Sequence, residues 1–171
     1  MRRLASAAVL TGLMAGPAAA AELNLSVEIP RMSVAEYHNP YVAIWVEKPD
    51  QTAVKTLAVW YDIKLRNQEG ETWLKDMRQW WRRAGRAMTL PADGVSGATK
   101  APGRHQVKFV GGKAPLGTLP AGQYNLVVEA AREVGGREMV RIPFQWPPKA
   151  AATGQAKGET ELGAVSLSLK P

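Results

Sequence analysis

The chain predicts an all-β fold: an immunoglobulin-like antiparallel β-sandwich with one inserted amphipathic helix. Three observations carry that expectation. Apolar and polar residues alternate in at least five short segments, turn signals separate those segments, and one stretch, Glu71–Arg86, switches to a helical period. No internal repeat is visible. A chain of 171 residues reads as one compact domain. About 150 residues bury roughly two-thirds of their unfolded surface, so the fold requires no disulfide or metal.

The elements follow in order. Leu23, Leu25, Val27 and Ile29 alternate with polar neighbours, and Pro30 ends the run. Tyr41 to Val46 is apolar on both faces and reads as a central strand. Val54, Leu57, Val59, Tyr61 and Ile63 mark a third strand, and Asn67-Gln68-Glu69-Gly70 a turn. In 71–86, Trp73, Leu74, Met77, Trp80, Trp81 and Ala84 recur at three- and four-residue steps, one apolar stripe on a helix of about four turns. Arg82 and Arg83 suit the negative end of its dipole, and Gly85 reads as its C-terminal cap. Residues 87–103 read as an irregular loop. Alternation returns at His105, Val107 and Phe109, at Tyr124, Leu126, Val128 and Ala130, and at Val140, Ile142, Phe144 and Trp146. Gly111-Gly112 and Gly135-Gly136 separate these runs. Residues 147–160, rich in Pro, Ala, Gly and Lys, read as a flexible surface loop. Val165, Leu167 and Leu169 close a seventh strand.

The N-terminus is an address. Met1-Arg2-Arg3 is a short cationic start, Leu4 to Met14 an apolar run, Gly16-Pro17 a helix breaker, and Ala18 to Ala21 a small-residue cleavage site. This is the pattern of a secretory signal peptide over 1–21, with cleavage after Ala20 or Ala21 and a mature domain over 22–171. The apolar run is too short for roughly 30 Å of hydrocarbon, and no later segment spans a membrane. The absence of Cys excludes a lipid anchor at the junction, thiolate metal sites and cysteine nucleophiles. The expected location is a bacterial periplasm. The net charge, +7 for the whole sequence and +5 (20 basic against 15 acidic residues) once Arg2 and Arg3 leave with the signal peptide, there implies acidic partners or an anionic surface rather than nucleic acid.

One motif in the 87–103 loop is specific: Asp93-Gly94-Val95-Ser96-Gly97-Ala98-Thr99. It resembles D-x-x-S/T-G-A-T, the acceptor motif of bacterial flavin transferases (FAD:protein FMN transferases), which esterify FMN through its phosphate onto the last Thr. At average composition the pattern arises by chance in roughly a few chains per ten thousand. The resemblance implies covalent FMN on Thr99, with Asp93, Ser96, Gly97 and Ala98 as the recognition residues. Gly97 and Ala98 remove bulk beside the hydroxyl, and Gly97 permits unusual backbone angles. Asp93 either docks on the transferase or orders the loop. Lys100 and Arg104 either pair with the phosphodiester or are solvated charges. Trp80 or Trp81 is a candidate to stack on the flavin ring.

A second resemblance spans nearly all of the mature chain. Asn39-Pro40-Tyr41-Val42-Ala43-Ile44-Trp45, the Trp73–Arg82 segment, the SGAT loop with Pro102-Gly103, and Pro120-Ala121-Gly122-Gln123-Tyr124 resemble an uncharacterised family of predicted periplasmic bacterial proteins, a domain of unknown function. Genes of that family often neighbour those for flavin transferases and PepSY-type membrane reductases. Leu119 to Ala130 is similar to the last hairpin of flagellar hook-capping immunoglobulin-like domains. The resemblance implies no catalytic residues. The best-known subunits that carry FMN on this motif, from sodium-pumping quinone reductases, have a different fold.

Trp45, Trp60 and Trp146 read as core, and His38 and His105 as structural residues rather than metal ligands. No catalytic triad, metal signature or phosphate loop is present. Lys75, Arg78, Arg82 and Arg83 form either a solvated face or a dock for an acidic partner. Three classes of function stay open: an FMN-bearing electron carrier, an immunoglobulin-like binding module, and an accessory subunit of a membrane reductase without its own cofactor.

Overall fold

A computed structural model describes residues 20–171; apart from Ala20 and Ala21, the expected signal peptide lies outside the described residues. Four strands, β1 (Glu22–Ile29), β5 (Gly103–Val110), β8 (Ala152–Lys157) and β9 (Ala164–Lys170), form one sheet in the order β5-β1-β9-β8. Five others form the second sheet. They are β2 (Tyr41–Glu47), β3 (Ala53–Tyr61), β4 (Ser96–Ala98), β6 (Gly122–Ala131) and β7 (Arg137–Trp146), in the order β4-β3-β2-β6-β7. The protein is the expected all-β sandwich.

Alternation builds the space between the sheets. Leu23, Leu25, Val27 and Ile29 of β1 point inward beside Val165, Leu167 and Leu169 of β9. They meet Val42, Ile44 and Val46 of β2 and Leu126 and Val128 of β6. Full burial of each such side chain contributes about 1.5–3 kcal/mol. The other face of β2, with Tyr41, Ala43 and Trp45, belongs to a second apolar cluster under Leu74, Met77 and Trp80. This is why β2 is apolar on both faces: the five-stranded sheet is covered twice.

The cover on the second face departs from the expected helix of four turns. It is a run of 3-10 turns over Arg66–Asp76, kinked where Asn67 and Gln68 take φ 53 and 57, then a six-residue helix α1 (Arg78–Arg83) and a 3-10 turn at Gly85–Ala87. The break falls at Met77, with φ −77 and ψ 71. Its cause is Glu129 of β6. The Glu129 carboxylate accepts the backbone N–H of Gln79 at 3.1 Å and of Trp80 at 2.8 Å, donors that a continuous helix would give to carbonyls four residues back. Leu74, Met77 and Trp80 of the expected stripe are buried, whereas Trp73 is 49% exposed. Gly85 is not a left-handed cap. A Cβ there would stand 2.7 Å from the Trp80 ring, so the glycine lets the chain close over the indole.

Two expected loops contain strands. β8 lies inside the 147–160 segment, paired with β9 (Thr153↔Ser168, Gln155↔Ser166). Its inward positions need to be small, since a Cβ on Gly154 would meet Ile142 Cγ2 at 2.5 Å. β4 lies inside the 87–103 segment and pairs with β3 in parallel, the one parallel ladder among the described residues, so the sandwich is not wholly antiparallel.

Candidate functional site

The motif is a turn followed by an edge strand. Ala92 closes the turn: its carbonyl accepts Val95 N–H at 3.1 Å and Ser96 N–H at 2.9 Å, while its own N–H donates to Ser96 Oγ at 3.0 Å. Gly94 takes φ +70, a value that favours glycine. Ser96 is thus the residue that orders the loop, and Asp93 lies exposed on a separate groove with Lys55 and Arg83. Gly97 differs from the expectation of unusual angles. It sits in β4 without a positive φ, and a Cβ there would touch Trp60 Cδ1 at an ordinary 3.4 Å.

Register then fixes what Thr99 meets. β4 runs beside β3 with Val59↔Ser96, Trp60↔Gly97 and Tyr61↔Ala98, so the next residues along, Asp62 and Thr99, are neighbours. The Thr99 hydroxyl donates to Asp62 Oδ1 at 3.3 Å. Tyr41, at the start of β2, donates its hydroxyl to the other oxygen of Asp62 at 3.5 Å. Burial pushes the Tyr41 phenol up to about 12, and the charge of Asp62 adds to the rise, so this phenol is a neutral donor at physiological pH.

Thr99, Asp62 and Tyr41 stand on the wall of a cleft of about 530 Å³. Its other walls are Trp73 and Asp76 from the 3-10 helix, Tyr37 to Asn39 from the β1–β2 connection, and Ala131 to Val134 from the β6–β7 turn. A cavity of this size, walled by aromatic rings with a few polar groups, suits a small molecule. Burial also pushes the Tyr37 phenol up, against the pull of the Arg132 cation.

The structure separates the other predicted contacts from this cleft. Trp80 is fully buried, its Nε1 donating to Thr56 Oγ1 at 3.1 Å, and it has no face to offer a ligand. Trp81 opens onto a different groove, with Lys75, Arg78, Arg82 and Arg137. Lys100 places its Nζ 5.5 Å from the Trp60 ring centroid, and Arg104 pairs with Glu28 at 3.7 Å. His105 contacts the Ala101 carbonyl, whereas His38 does line the cleft, where it contacts Glu36 and Glu133. Arg83, read with the basic face, instead bonds Gln51. The indole that shares the cleft with Thr99 is Trp73, which the helical period assigned to the core. Asp62, Tyr41 and Tyr37 reach the site through register and packing, and no local motif marks them.

A family model described as "Predicted periplasmic protein (DUF2271)" matches residues 22–164. The chain belongs to the DUF2271 family. The match covers every strand but β9, together with the motif and the cleft, and the periplasmic location is the one that the N-terminal sequence predicts. Among the described residues, no helix of this DUF2271 protein is long and apolar enough to cross a membrane. No curated protein and no solved structure matches the chain.

Proposed function

We propose that this DUF2271 protein carries FMN covalently on Thr99 and works in extracytoplasmic electron transfer with a membrane reductase of the PepSY type. The observation that carries the reading is the placement of the D-x-x-S-G-A-T motif. Its last residue directly follows an edge strand, with a hydroxyl on the wall of a cleft large enough for a small molecule. The attachment is a group transfer. Thr99 Oγ1 bonds to the FMN phosphorus of FAD, the pyrophosphate P–O bond breaks, AMP leaves, and the hydroxyl proton passes to a base of the flavin transferase. A divalent cation there offsets the phosphate charge. Once bound, the flavin supplies the electron-accepting and electron-donating chemistry that the side chains lack.

Gly97 supports the reading in a negative way. The fold needs no glycine there, since its φ is ordinary and a Cβ has room. On this reading the smallness of residue 97 serves the enzyme that must receive this strand. The free edge of β4 is the side it can approach. Asp62 takes a preparatory role by holding the Thr99 hydroxyl.

The test is mass spectrometry of the peptide 95–100 after co-expression with a flavin transferase in an exporting host. Wild-type protein gains FMN less one water. Thr99→Ala gains nothing while remaining folded, Thr99→Ser retains part of the labelling, and Asp93→Ala or Gly97→Val reduces it. An unmodified peptide from folded protein supplied with transferase, FAD and magnesium refutes attachment. The binding-module reading then replaces it, carried by the groove of Trp81, Lys75, Arg78, Arg82 and Arg137.

A further inference from the structure

The walls of the Thr99 cleft contain polar atoms that the fold leaves unanswered. Among the described residues, three buried side-chain nitrogen or oxygen atoms have no hydrogen-bond partner, and two of them, the Tyr37 hydroxyl and Arg132 Nη1, belong to residues of this cleft. The rest of the Arg132 guanidinium is committed: Nε and Nη2 donate to Glu161 at 2.9 and 3.2 Å. Its carbon lies 5.9 Å from the Tyr37 ring centroid, and its side chain is 6% exposed. A buried donor without an acceptor is costly, and folded proteins seldom keep one without a reason. On the same cleft, Trp73 keeps half of a large aromatic surface in solvent, where the indole does nothing for the core.

These features define an occupant. It offers a flat aromatic face to Trp73 and acceptor oxygens to Tyr37 and Arg132. It carries little negative charge of its own, because Asp62, Asp76 and Glu133 also line the cleft and Glu161 already answers the charge of Arg132. Free phosphates and polyanions fail the last condition. The oxidised flavin ring, planar, uncharged and bearing carbonyl oxygens, meets all three. We infer that this cleft is the seat of the ring: Trp73 is its stacking face, and Tyr37 with Arg132 donates to its carbonyl end. The inference rests on the proposed attachment at Thr99, where a tether raises the local ring concentration to the order of millimolar, so a shallow seat is filled.

Two measurements test the seat and separate it from the attachment. Wild type and Trp73→Ala are co-expressed with the transferase, intact mass confirms FMN on each, and flavin fluorescence is read before and after proteolysis. The expected wild type is at least fivefold dimmer folded than digested, and Trp73→Ala regains most of that emission at unchanged mass. A fully loaded wild type that is equally bright in both states, or quenching untouched by Trp73→Ala, overturns the seat and leaves the attachment standing. If mass shows no FMN on Thr99, the attachment falls and riboflavin, which lacks the phosphate, decides the seat. Saturable binding to the unmodified protein, weakened tenfold or more by Trp73→Ala and several-fold by Tyr37→Phe, supports it. Binding that does not saturate, or ignores Trp73, overturns it.

Discussion

The two faces of the five-stranded sheet are covered in different ways. The inner face meets the four-stranded sheet through aliphatic and aromatic side chains, with Val42, Ile44 and Val46 of β2 set against β1 and β9. The outer face lies under a strap of short helical pieces, Arg66–Ala87, and two fully buried carboxylates hold the polar contacts there. Glu129 accepts from two strap amides and from Arg137 at 2.7 Å. Glu47 accepts from Trp45 Nε1 at 3.3 Å and Arg141 at 2.7 Å, with Arg83 of the strap 3.9 Å away. The difference has a physical cause. Strands satisfy their backbone by pairing, whereas a six-residue helix is too short to hold itself in water and takes its acceptors from the sheet below. The Thr99 cleft opens at the margin of the strap, so the candidate site belongs to the latched face.

That comparison breaks most visibly at the indoles. Trp80→Ala removes a fully buried ring and its bond to Thr56, and is expected to destabilise by about 3–5 kcal/mol in urea unfolding. Leu25→Ala on the inner face is expected to cost about 2–5 kcal/mol. Amide exchange tells the two apart: Leu25→Ala loosens β1 and β9, whereas Trp80→Ala first frees the strap. Glu129→Ala comes next. It strips the acceptor from Gln79 and Trp80, at about 1–3 kcal/mol for each group left unpaired. Faster exchange should appear in 78–84 while β1 and β9 stay protected; equal loss in both regions would sink the latch account.

A third carboxylate sharpens the comparison through pH. Burial pushes the Glu138 carboxyl up, but the backbone N–H groups of Glu159, Leu162 and Thr160 outweigh it and hold it below its usual range. A lowered folded value means the stabilisation is present at neutral pH, above the unfolded value, and is lost as pH falls through the folded value. The protection of amides 159–162, corrected for the intrinsic exchange rate, should therefore fall as pH drops below the usual carboxylate range, and Glu138→Gln should flatten that dependence. The smallest effect is expected at Trp73. With half its surface in solvent, Trp73→Ala should change stability by about 1 kcal/mol or less, and a loss as large as that of Trp80→Ala would return it to the core.

Legibility in the sequence followed the same division. Seven strands were legible: most, like Leu23 to Ile29 and Val165 to Leu169, alternate against an apolar layer, and Tyr41 to Val46 stands out as a run that is apolar on both faces. β8 was not, because Gly154 and Ala156 face the interior under Ile142 and carry almost no apolar signal. β4 was not, because three residues make no period and its partner is distant in sequence. The strap was legible as an apolar stripe at Leu74, Met77 and Trp80, but not as a broken helix, since the break is written in Glu129, about fifty residues away. The motif at 93–99 was legible as a pattern, while its neighbours Asp62, Tyr37 and Trp73 required the parallel register and the packing of three loops.

The place of β4 has a consequence for timing. It ends its sheet, three residues long, held on one side by β3 alone, so no other strand waits on it. The two apolar layers can close without it, and with no cysteine to oxidise the chain has no disulfide to form beforehand. An enzyme that works on Thr99 therefore meets a finished protein. On the proposed attachment the fold precedes the flavin, and a chain that escapes modification is left whole and able to receive it later.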